Sequence, residues 1–388
     1  MDILVTGALG FVGRNLVAQL KNIRDGKATW YGEIPNGGIG EIFEYDLDTD
    51  PAMLDEWCSR AGFVYNLAGV NRPKDPKEFM TGNFGFASTL LQTLERHGNR
   101  CPVMLSSSIQ AELDNPYGQS KLAGEELFFE YGRRTGAHTL VYRFPNLFGK
   151  WCRPSYNSVV ATFCHNMAHG LPLRVDDPTK ELRLTYIDDV VDELIAALQG
   201  REHRDGKLCF VPVEHRVTLG RIVELLQGFH EDPSRLGLPE LDDQFTRKLH
   251  ATYLTYLPED GFSQKLTVHS DYRGSFAEVF RTPDRGQLSI NTVLPGAVKG
   301  GHWHHTKNEK FIVIAGEGVV RFRDVRNPQD EVIEYHVNGA HPEVVDVPPG
   351  YTHEIANTGD TELVSIIWCN ECFDPNRPDT YREPVDNA

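Results

Sequence analysis

The sequence predicts a doubly wound α/β domain built on a parallel sheet, followed by an all-β domain of sandwich or barrel type. In the first part of the chain, short apolar runs alternate with segments of helical period, which is the rhythm of βαβ units. From about residue 265 onward, short β-type runs are separated by Gly, Pro and Asp turns. The length of 388 residues exceeds what one hydrophobic core usually organises, so two domains are expected.

The elements of the first domain can be placed in order. Its predicted strands are the apolar runs ILVT at 3–6, IFEYDL at 42–47, FVYNLAG at 63–69, PVMLSSS at 102–108 and HTLVYRF at 138–144. The segments GFVGRNLVAQLK and KLAGEELFFEYGRR repeat apolar residues with helical spacing and predict helices between strands. The stretch DDQFTRKLHATYLTYL, ended by Pro258 and Gly261, predicts the closing helix. The domains are therefore expected to be 1–262 and 263–388.

The second domain is predicted from short runs alone. They are GQLSINTV, KFIVIAG, GVVRFRDV, EVIEYHV, EVVDVPPG and TELVSIIWC, in that order along the chain. Runs of this length between turn residues are typical of antiparallel strands that pack as two sheets.

Composition excludes several classes of partner. Lys plus Arg number 39 against 55 Asp plus Glu, a formal charge of 39 − 55 = −16 that repels nucleic acid and anionic membrane surfaces. No apolar run approaches the roughly 20 residues of a membrane helix. Seven scattered cysteines suit reduced thiols in the cytoplasm. The CxxC of Cys369 and Cys372 follows a strand-like run, whereas a redox pair usually opens a helix, so these thiols are interpreted as incidental.

A glycine-rich loop follows the first predicted strand. Gly7, Gly10 and Gly13 in TGALGFVG would let the backbone turn tightly and approach a pyrophosphate at the N-terminus of the next helix. The spacing is GxxGxxG rather than GxGxxG, and glycines after a strand often only make a turn, so this alternative stays open.

A second pattern predicts acid–base chemistry. Tyr117 and Lys121 are four residues apart at a helix start and share one helical face, and three serines, Ser106, Ser107 and Ser108, end a strand upstream. The lysine charge is expected to lower the tyrosine pKa while a serine hydroxyl orients the same substrate oxygen. Tyr117 would then act as general acid or base on a carbonyl/alcohol pair.

These residues together resemble the extended short-chain dehydrogenases that act on nucleotide sugars, a family with a Rossmann-type fold. The resemblance implies that Ser108, Tyr117 and Lys121 are catalytic and that Asp46 meets the adenine. The residues it implies for cofactor binding are Gly7, Gly10, Phe11, Val12, Gly13, Asp46, Leu67, Ala68, Tyr117 and Lys121. Those it implies for substrate binding are Asn83, Asn146 and Arg183.

Arg183 lies in RLTYIDDVV, which is similar to the family's stretch in which an arginine binds the sugar nucleotide's diphosphate. Guanidinium suits bidentate phosphate binding. A plain salt bridge from Arg183 to Asp188 or Asp189 is the alternative.

NADP is the expected cofactor, and NAD is not excluded. Glu33 lies near where an NAD-preferring acidic residue would follow the second strand, whereas Arg24 and Lys27 could meet a 2′-phosphate.

A third pattern predicts a metal site. The spacing from Gly296 through His302, His304 and Glu309 to Gly316 is the first sequence motif of the cupins, a family of jelly-roll domains. Its second motif is found as Pro348, Gly350, His353 and Asn357, although Pro342 stands where a glycine is usual. Three imidazoles and one carboxylate, those of His302, His304, Glu309 and His353, suit Zn²⁺, Ni²⁺ or Fe²⁺ with an open position, and zinc is the expected ion. His305 and Lys310 are expected to point away by alternation.

Over its whole length the chain resembles bifunctional bacterial capsular or lipopolysaccharide sugar enzymes on the route to UDP-N-acetyl-L-fucosamine. The segments LAGVNRP, SSSIQAELDNPYGQSK, FPNLFGKWC, YNSVVATFC and GHWHHTKNEKF carry this resemblance. It implies a UDP-2-acetamido-2,6-dideoxy-4-hexulose substrate, epimerised at C3 by the cupin domain and then reduced at C4 with NADPH to a talose-type L-hexose. A homodimer is expected. Two alternatives stay open: a cupin domain that only supports dimerisation, and metal-dependent oxygenation.

Overall fold

The computed structural model describes residues 1–73, 75–282, 284–327, 329 and 331–386, without the side chains of Ser234 and Arg235. Residues 387 and 388, the last of the predicted second domain, lie outside this range. The chain divides into two compact units, Met1–Gln227 with Leu241–Pro258, and Gly228–Glu240 with Glu259–Ala388.

The first unit contains strands and helices in alternation. Its strands are β1 (Ile3–Thr6), β2 (Ile42–Tyr45), β3 (Phe63–Asn66), β4 (Val103–Ser108), β5 (Thr139–Phe144), β6 (Asn146–Phe148), β7 (Glu181–Tyr186), β8 (Arg204–Asp205), β9 (Leu208–Cys209) and β10 (His215–Thr218). The helices are α1 (Phe11–Arg24), α2 (Pro51–Arg60), α3 (Lys77–Phe79), α4 (Phe86–Arg96), α5 (Pro116–Thr135), α6 (Val159–Ala168), α7 (Ile187–Leu198), α8 (Leu219–Glu231) and α9 (Gln244–Leu254), with a π-helical turn at Met80–Gly85 between α3 and α4. Helix α8 runs from this unit into the second.

A seven-stranded sheet organises this unit in the order β2-β1-β3-β4-β5-β9-β8. The pairings from β2 to β9 are parallel, and only the β8–β9 hairpin at the edge is antiparallel. Buried residues of α1 and α7 pack on one face, and those of α2, α4 and α5 pack on the other. The predicted doubly wound Rossmann-type sheet is confirmed, and its strand order reverses between β1 and β3, where such sheets bind ligands.

The segment between α1 and β2 contains Glu33, one of the residues considered for cofactor selection. Residues 25–41 are all described, and they contain a single 3₁₀ turn, Thr29–Tyr31, with no strand. Gly32, Gly37 and Gly38 have positive φ and Pro35 lies among them, so the chain cannot stay extended. Glu33 therefore does not directly follow a strand, and the choice between NADP and NAD stays a prediction.

The second unit is built from antiparallel strands. They are β11 (Val268–Asp271), β12 (Gly274–Thr282), β13 (Gly286–Val293), β14 (Val298–Trp303), β15 (Glu309–Ala315), β16 (Glu317–Asp324), β17 (Ile333–Asn338), β18 (Val344–Val347), β19 (Tyr351–Asn357), β20 (Leu363–Cys369) and β21 (Tyr381–Arg382). They form a six-stranded sheet, β11-β12-β13-β20-β15-β18, and a five-stranded sheet, β17-β16-β19-β14-β21. A buried apolar cluster that includes Phe311, Val320 and Ile355 joins residues of both sheets. The predicted all-β cupin architecture is confirmed.

The segment Gly228–Glu240 belongs to this second unit because it pairs with β12. The backbone amide of Arg281 donates to the carbonyl of Leu236 at 2.8 Å, and that of Leu238 donates to the carbonyl of Arg281 at 3.1 Å. The helix predicted to close the first domain is α9, within Leu241–Pro258. The chain thus crosses between the units more than once, whereas the sequence predicted one boundary near 262.

No helix among the described residues is long and apolar enough to cross a membrane. All seven cysteines are free thiols.

Candidate functional site

The glycine loop ends β1 and opens α1. Gly7 has a φ of +71°, and a Cβ there would lie 2.7 Å from the amide nitrogen of Ala68. A Cβ at Gly13 would lie 2.2 Å from the carbonyl oxygen of Gly7, so the loop folds this tightly only with glycine at both positions. Helix α1 begins after Gly10 without a side-chain cap and with no acidic residue in its first turn. Its free amides, at Phe11 and the residues that follow, fit a pyrophosphate.

Asp46 lies beside this loop at the end of β2. Its carboxylate accepts hydrogen bonds from the backbone amides of Leu9 at 2.8 Å and Leu47 at 2.9 Å. Leu67 and Ala68 follow β3, and their amides donate to the backbone oxygen and the hydroxyl of Thr6 at 3.1 and 3.4 Å. The residues implied for the cofactor thus meet at the carboxyl ends of β1, β2 and β3, and their contact with a cofactor stays a prediction.

Tyr117 and Lys121 lie in the first turns of α5. Asn115 caps this helix by accepting from the amide of Gly118 at 2.8 Å, and Pro116 occupies its first position. The Lys121 ammonium lies 5.7 Å from the centre of the Tyr117 ring and donates to the carbonyl of Ser106 at 3.1 Å. The tyrosine, the lysine and the end of β4 therefore form one site.

The two titratable groups of this site are shifted mainly by burial. Burial raises the pKa of Tyr117, although a hydrogen bond with Ser108 acts in the opposite direction. Burial also lowers the pKa of Lys121 to about 8, against the charge of Glu125. The prediction that Lys121 lowers the pKa of Tyr117 was wrong, because loss of hydration dominates and raises it. Tyr117 therefore keeps its proton at neutral pH, and its role as general acid stays a prediction.

Asn71 is a neighbour of Tyr117 that the sequence analysis missed. The Tyr117 hydroxyl donates to Oδ1 of Asn71 at 3.1 Å, so the reactive proton already points at a polar partner. Asn71 lies in LAGVNRP, a segment used above only as evidence of resemblance. Its place in the loop that directly follows a parallel strand was the signal that could have identified it.

Asn83 holds this loop in place from the π-helical turn. Its Oδ1 accepts from the amide of Val70 at 2.8 Å, and its Nδ2 donates to the carbonyl of Val70 at 3.2 Å and to Oγ of Ser120 at 2.9 Å. Both amide hydrogens are thus used within the protein, which makes Asn83 a support for the Asn71 loop. Its role in substrate binding stays a prediction.

Arg183 on β7 is bound by Glu214. Its Nε lies 3.0 and 2.9 Å from the two carboxylate oxygens of Glu214, and its Nη2 lies 2.7 Å from one of them. Asp188 and Asp189, the alternative partners, bind Lys150 and Lys248 instead. The Arg183 side chain is half exposed, and Glu214 orients its guanidinium.

Asn146 lies beside Arg183 on the neighbouring strand. Its Nδ2 approaches the Arg183 carbonyl at 3.4 Å. The two residues implied for substrate binding therefore share one surface between β6 and β7, and their contact with substrate stays a prediction.

The four predicted metal ligands come together in the second unit. One ligand atom from each of His302, His304, Glu309 and His353 lies within 4.8 Å of the others. His302 ends β14 opposite His353 on β19, and Glu309 opens β15 on the facing sheet. His304 and His353 are buried, and Nε2 of each has no hydrogen-bond partner among the described residues.

The tautomers of these histidines follow from their backbone contacts. Nδ1 of His304 lies 2.5 Å from the carbonyl of Asp379, and Nδ1 of His353 lies 3.2 Å from that of Tyr351. A carbonyl only accepts, so each Nδ1 carries a hydrogen, and Nε2 is the ring atom of each histidine that could bind a metal. Nε2 of His353 lies 3.2 Å from a carboxylate oxygen of Glu309, so both ligand atoms face one position.

The ionisation states of the cluster also fit a metal. Burial lowers the pKa of His302 to about 4 and lowers that of His304. Burial acts to raise the pKa of Glu309, but His353 and the other imidazoles hold it below its ordinary value. The neutral imidazoles of His302 and His304 are in the form that binds a divalent cation, and an ionised carboxylate is the form that Glu309 would need as a ligand.

His305 and Lys310 lie outside this cluster. The His305 ring packs against Trp303 and Tyr381 at centroid distances of 4.6 and 5.0 Å, and Lys310 forms an ion pair with Asp346.

Asp379 supports the His304 segment from the carboxyl-terminal part of the chain. Its carboxylate accepts from the amides of His305, Thr306 and Lys307 at 3.0, 2.9 and 3.1 Å, while its backbone carbonyl orients His304. These bonds hold its pKa well below the usual range in spite of burial. It has a φ of +43°, a conformation that asparagine tolerates well. It is a second residue that the sequence analysis missed.

Asp379→Asn is therefore expected to weaken metal binding by about 10- to 100-fold, because an amide cannot accept three N–H bonds and the His304 ring loses its fixed orientation. Competition with a chromogenic chelator measures the affinity. Asp346→Asn, at an exposed carboxylate of the same unit, is the control, and equal affinities in both variants would contradict the role of Asp379.

Comparisons with known proteins give a consistent result. Residues 3–208 match the NAD dependent epimerase/dehydratase family, and residues 269–381 match the polysaccharide biosynthesis C-terminal domain. The chain is 40% identical over 381 residues, 98% of each chain, to a Pseudomonas aeruginosa protein called UDP-2-acetamido-2,6-beta-L-arabino-hexul-4-ose reductase. It also resembles the crystal structure of the capsular polysaccharide assembling protein CapF from Staphylococcus aureus, with 48% identity, a TM-score of 0.90 and coverage of 99% of this chain and 100% of that one. The spore coat polysaccharide biosynthesis protein SpsL of Bacillus subtilis is 30% identical over 132 residues, 32% of this chain and 87% of that protein.

Proposed function

The chain belongs to the NAD dependent epimerase/dehydratase family, and from this premise we propose that it is a bifunctional nucleotide-sugar enzyme of polysaccharide biosynthesis. Its substrate is a UDP-2-acetamido-2,6-dideoxy-4-hexulose. The cupin domain, 263–388, epimerises C3, and the first domain, 1–262, reduces C4 with NADPH to a talose-type L-hexose. One observation carries the proposal: a buried Tyr117 beside Lys121 and a compact cluster of three histidines and one glutamate occur in one chain. The name of the Pseudomonas aeruginosa relative supports the reductase half.

The first domain's residues handle one proton. The glycine loop would hold a nicotinamide cofactor, which would supply a hydride to C4. Tyr117 gives its proton to the C4 oxygen, and Ser108 binds the same oxygen and orients it. The Lys121 ammonium lies 5.7 Å from the centre of the Tyr117 ring, and its positive charge stabilises the tyrosinate as the proton leaves.

The cupin residues make the C3 proton removable. His302, His304, Glu309 and His353 would hold a divalent metal, expected to be zinc, and the burial of His304 and His353 keeps both imidazoles out of bulk water. Such a metal would supply Lewis acidity to stabilise negative charge on the C4 carbonyl oxygen. A C–H beside a ketone is acidic only while the ketone exists, so epimerisation precedes reduction.

A homodimer is part of the proposal, and one surface favours it. On the outer face of the six-stranded sheet, Ile290, Ile366, Ile312 and Val344 pair in register across four strands. Ile290 and Val344 are 38% and 55% exposed, which is unusual for a row of aliphatic side chains. The same row of aliphatic side chains also supports the alternative, in which the cupin domain serves only dimerisation. A cytoplasmic location is proposed as well, and the seven free thiols support it.

Proton NMR of the keto sugar in deuterated water tests the proposal. Without reduced cofactor, deuterium should enter C3, and with NADPH the C4 alcohol should form. Chelation of metal should stop exchange and spare reduction, whereas under the dimerisation alternative it would weaken only the dimer. Oxygen uptake that depends on the sugar would favour oxygenation instead. A lack of reduction with NADPH and with NADH would reject the first half of the proposal.

Arg183→Ala is expected to raise KM for the nucleotide sugar by about 10- to 150-fold, because it removes a charge-assisted contact to the diphosphate. KM for the cofactor should hardly change. Arg216→Ala is the matched control, since Arg216 pairs with Arg183 across β10 and β7 and also approaches Glu214, at 3.5 Å. Steady-state kinetics with each ligand varied in turn measure the two KM values. An equal rise of KM for the cofactor would show that Arg183 does not act specifically on the nucleotide sugar.

A further inference from the structure

A buried carboxylate lies beneath the reductase site and takes no part in the roles described so far. Glu125 is on α5, four residues after Lys121 and eight after Tyr117, so the three side chains share one helical face. It is 1% exposed. A carboxylate this far from water is costly unless it is paired and hydrogen-bonded, so its partners indicate its purpose.

The Glu125 carboxylate accepts three hydrogen bonds from two residues on neighbouring strands. Arg143 on β5 binds it side-on, with Nε at 2.8 Å from one oxygen and Nη2 at 2.7 Å from the other. The hydroxyl of Ser107 on β4 donates to it at 2.5 Å. Ser107 stands between Ser106, whose carbonyl accepts from Lys121, and the catalytic Ser108. Glu125 thus joins the helix of Tyr117 and Lys121 to the strand end that carries the serines.

We propose that Glu125 is a positioning residue of the reductase, which fixes α5 against the serine strand end and supplies the negative charge that accompanies the buried Lys121 ammonium. The inference rests on the proposed reduction at C4. Glu125 touches neither substrate nor cofactor, and it acts through Lys121 and Ser107.

The surroundings of Lys121 explain why this charge matters. From α5 it faces the Tyr117 ring, from β4 the Ser106 carbonyl, and from the loop after β3 the backbone at Gly69, where a Cβ would lie 3.2 Å from its Nζ. Among the described residues, Glu125 is the charged group that acts on it. Burial lowers the pKa of Lys121 to about 8, and Glu125 opposes that effect. Without Glu125 the ammonium would lose its proton at lower pH.

Glu112 provides a matched control. It binds the same arginine, with an Arg143 Nη1 distance of 2.8 Å, but its side chain is 72% exposed and its charge does not act on Lys121. A variant at Glu112 therefore perturbs Arg143 without altering the charge near the lysine.

The test compares Glu125→Gln with Glu112→Gln. Lys121 is charged below its pKa and neutral above it, so reduction should fall as pH rises through that value. In Glu125→Gln this alkaline limb of kcat/KM should move down by about one pH unit or more, while Glu112→Gln keeps the limb of the parent. A uniform loss of activity with an unmoved limb would show a purely structural role and overturn the proposal.

Two further measurements apply if the variant folds poorly or if reduction is not observed. If Glu125→Gln folds poorly because Arg143 loses its buried partner, Glu125→Gln combined with Arg143→Met removes both charges of the pair and should move the limb in the same direction. The reactivity of Lys121 toward acetic anhydride, followed by mass spectrometry across pH, gives its pKa with no substrate present. An unmoved pKa rejects the role of Glu125, whereas a parent protein that does not reduce the keto sugar rejects the proposed function.

Discussion

Tyr117→Phe is expected to lower NADPH-dependent reduction of the keto sugar by at least about 10²-fold, because no side chain remains to give a proton to the C4 oxygen. The hydroxyl lies at a site where burial keeps it protonated and where Asn71 receives its hydrogen. Deuterium exchange at C3 should continue at the parent rate, since the cupin ligands lie in a separate compact unit. Stopped-flow NADPH oxidation and NMR of the same sample measure the two activities.

Tyr131→Phe is the control for this variant. Tyr131 is a buried tyrosine of the same helix, and its hydroxyl donates to the carbonyl of Asn99 at 3.2 Å. Its loss removes a hydrogen bond of equal kind at a position fourteen residues further along α5, about 21 Å by helical rise. Turnover of Tyr117→Phe within a few-fold of Tyr131→Phe would show that the proton comes from another group.

His304→Ala is expected to lower metal content and abolish deuterium uptake at C3. The ring supplies one of four ligand atoms, and its unpartnered Nε2 is oriented by Asp379. Removing it costs metal affinity and leaves the negative charge on the C4 oxygen unstabilised. Reduction should persist and give the C4 alcohol of the unepimerised sugar, because Tyr117 and Lys121 lie in the other unit.

His305→Ala is the matched control for the metal variant. His305 is the adjacent histidine, but its ring packs on Trp303 and Tyr381 rather than joining the ligand cluster. Elemental analysis measures metal content, analytical ultracentrifugation measures dimerisation, and NMR measures deuterium exchange. Applied to both variants, they distinguish a catalytic metal from a structural one. A His304→Ala protein that loses metal and dimerises poorly, yet exchanges deuterium at the parent rate, would show that the metal is structural and that the C3 proton is removed elsewhere.

The two variants are expected to lose different activities. His304→Ala should lose deuterium exchange and keep reduction, which is the activity of the first domain. Tyr117→Phe should lose reduction and keep exchange, which is the activity of the second domain. Combining Tyr117→Phe with His304→Ala should remove both activities and lower the free energy of unfolding by the sum of the two single effects, since the two residues belong to different compact units.

The sequence by itself determined the fold class and the composition of both sites, because each depends on local order along the chain. The period of apolar residues separates βαβ units from short antiparallel strands, and the observed β1 to β5 fall within the predicted runs. The four-residue interval between Tyr117 and Lys121 fixes a shared helical face. The motif around His302 and the one around His353 place their ligands on adjacent strands, where the register opposes the two residues.

Only the tertiary structure decided which distant partners these residues have. Arg183 could have met any of several nearby acids, and the pairing of β7 with β10 brings Glu214 to it instead of Asp188. Asp379 lies 75 residues from His304, and Asn71 lies 46 residues from Tyr117. The sequence contains many Asp, Glu and Asn residues of equal local character, and long-range packing alone selects the few that a buried charge or a reactive hydroxyl requires.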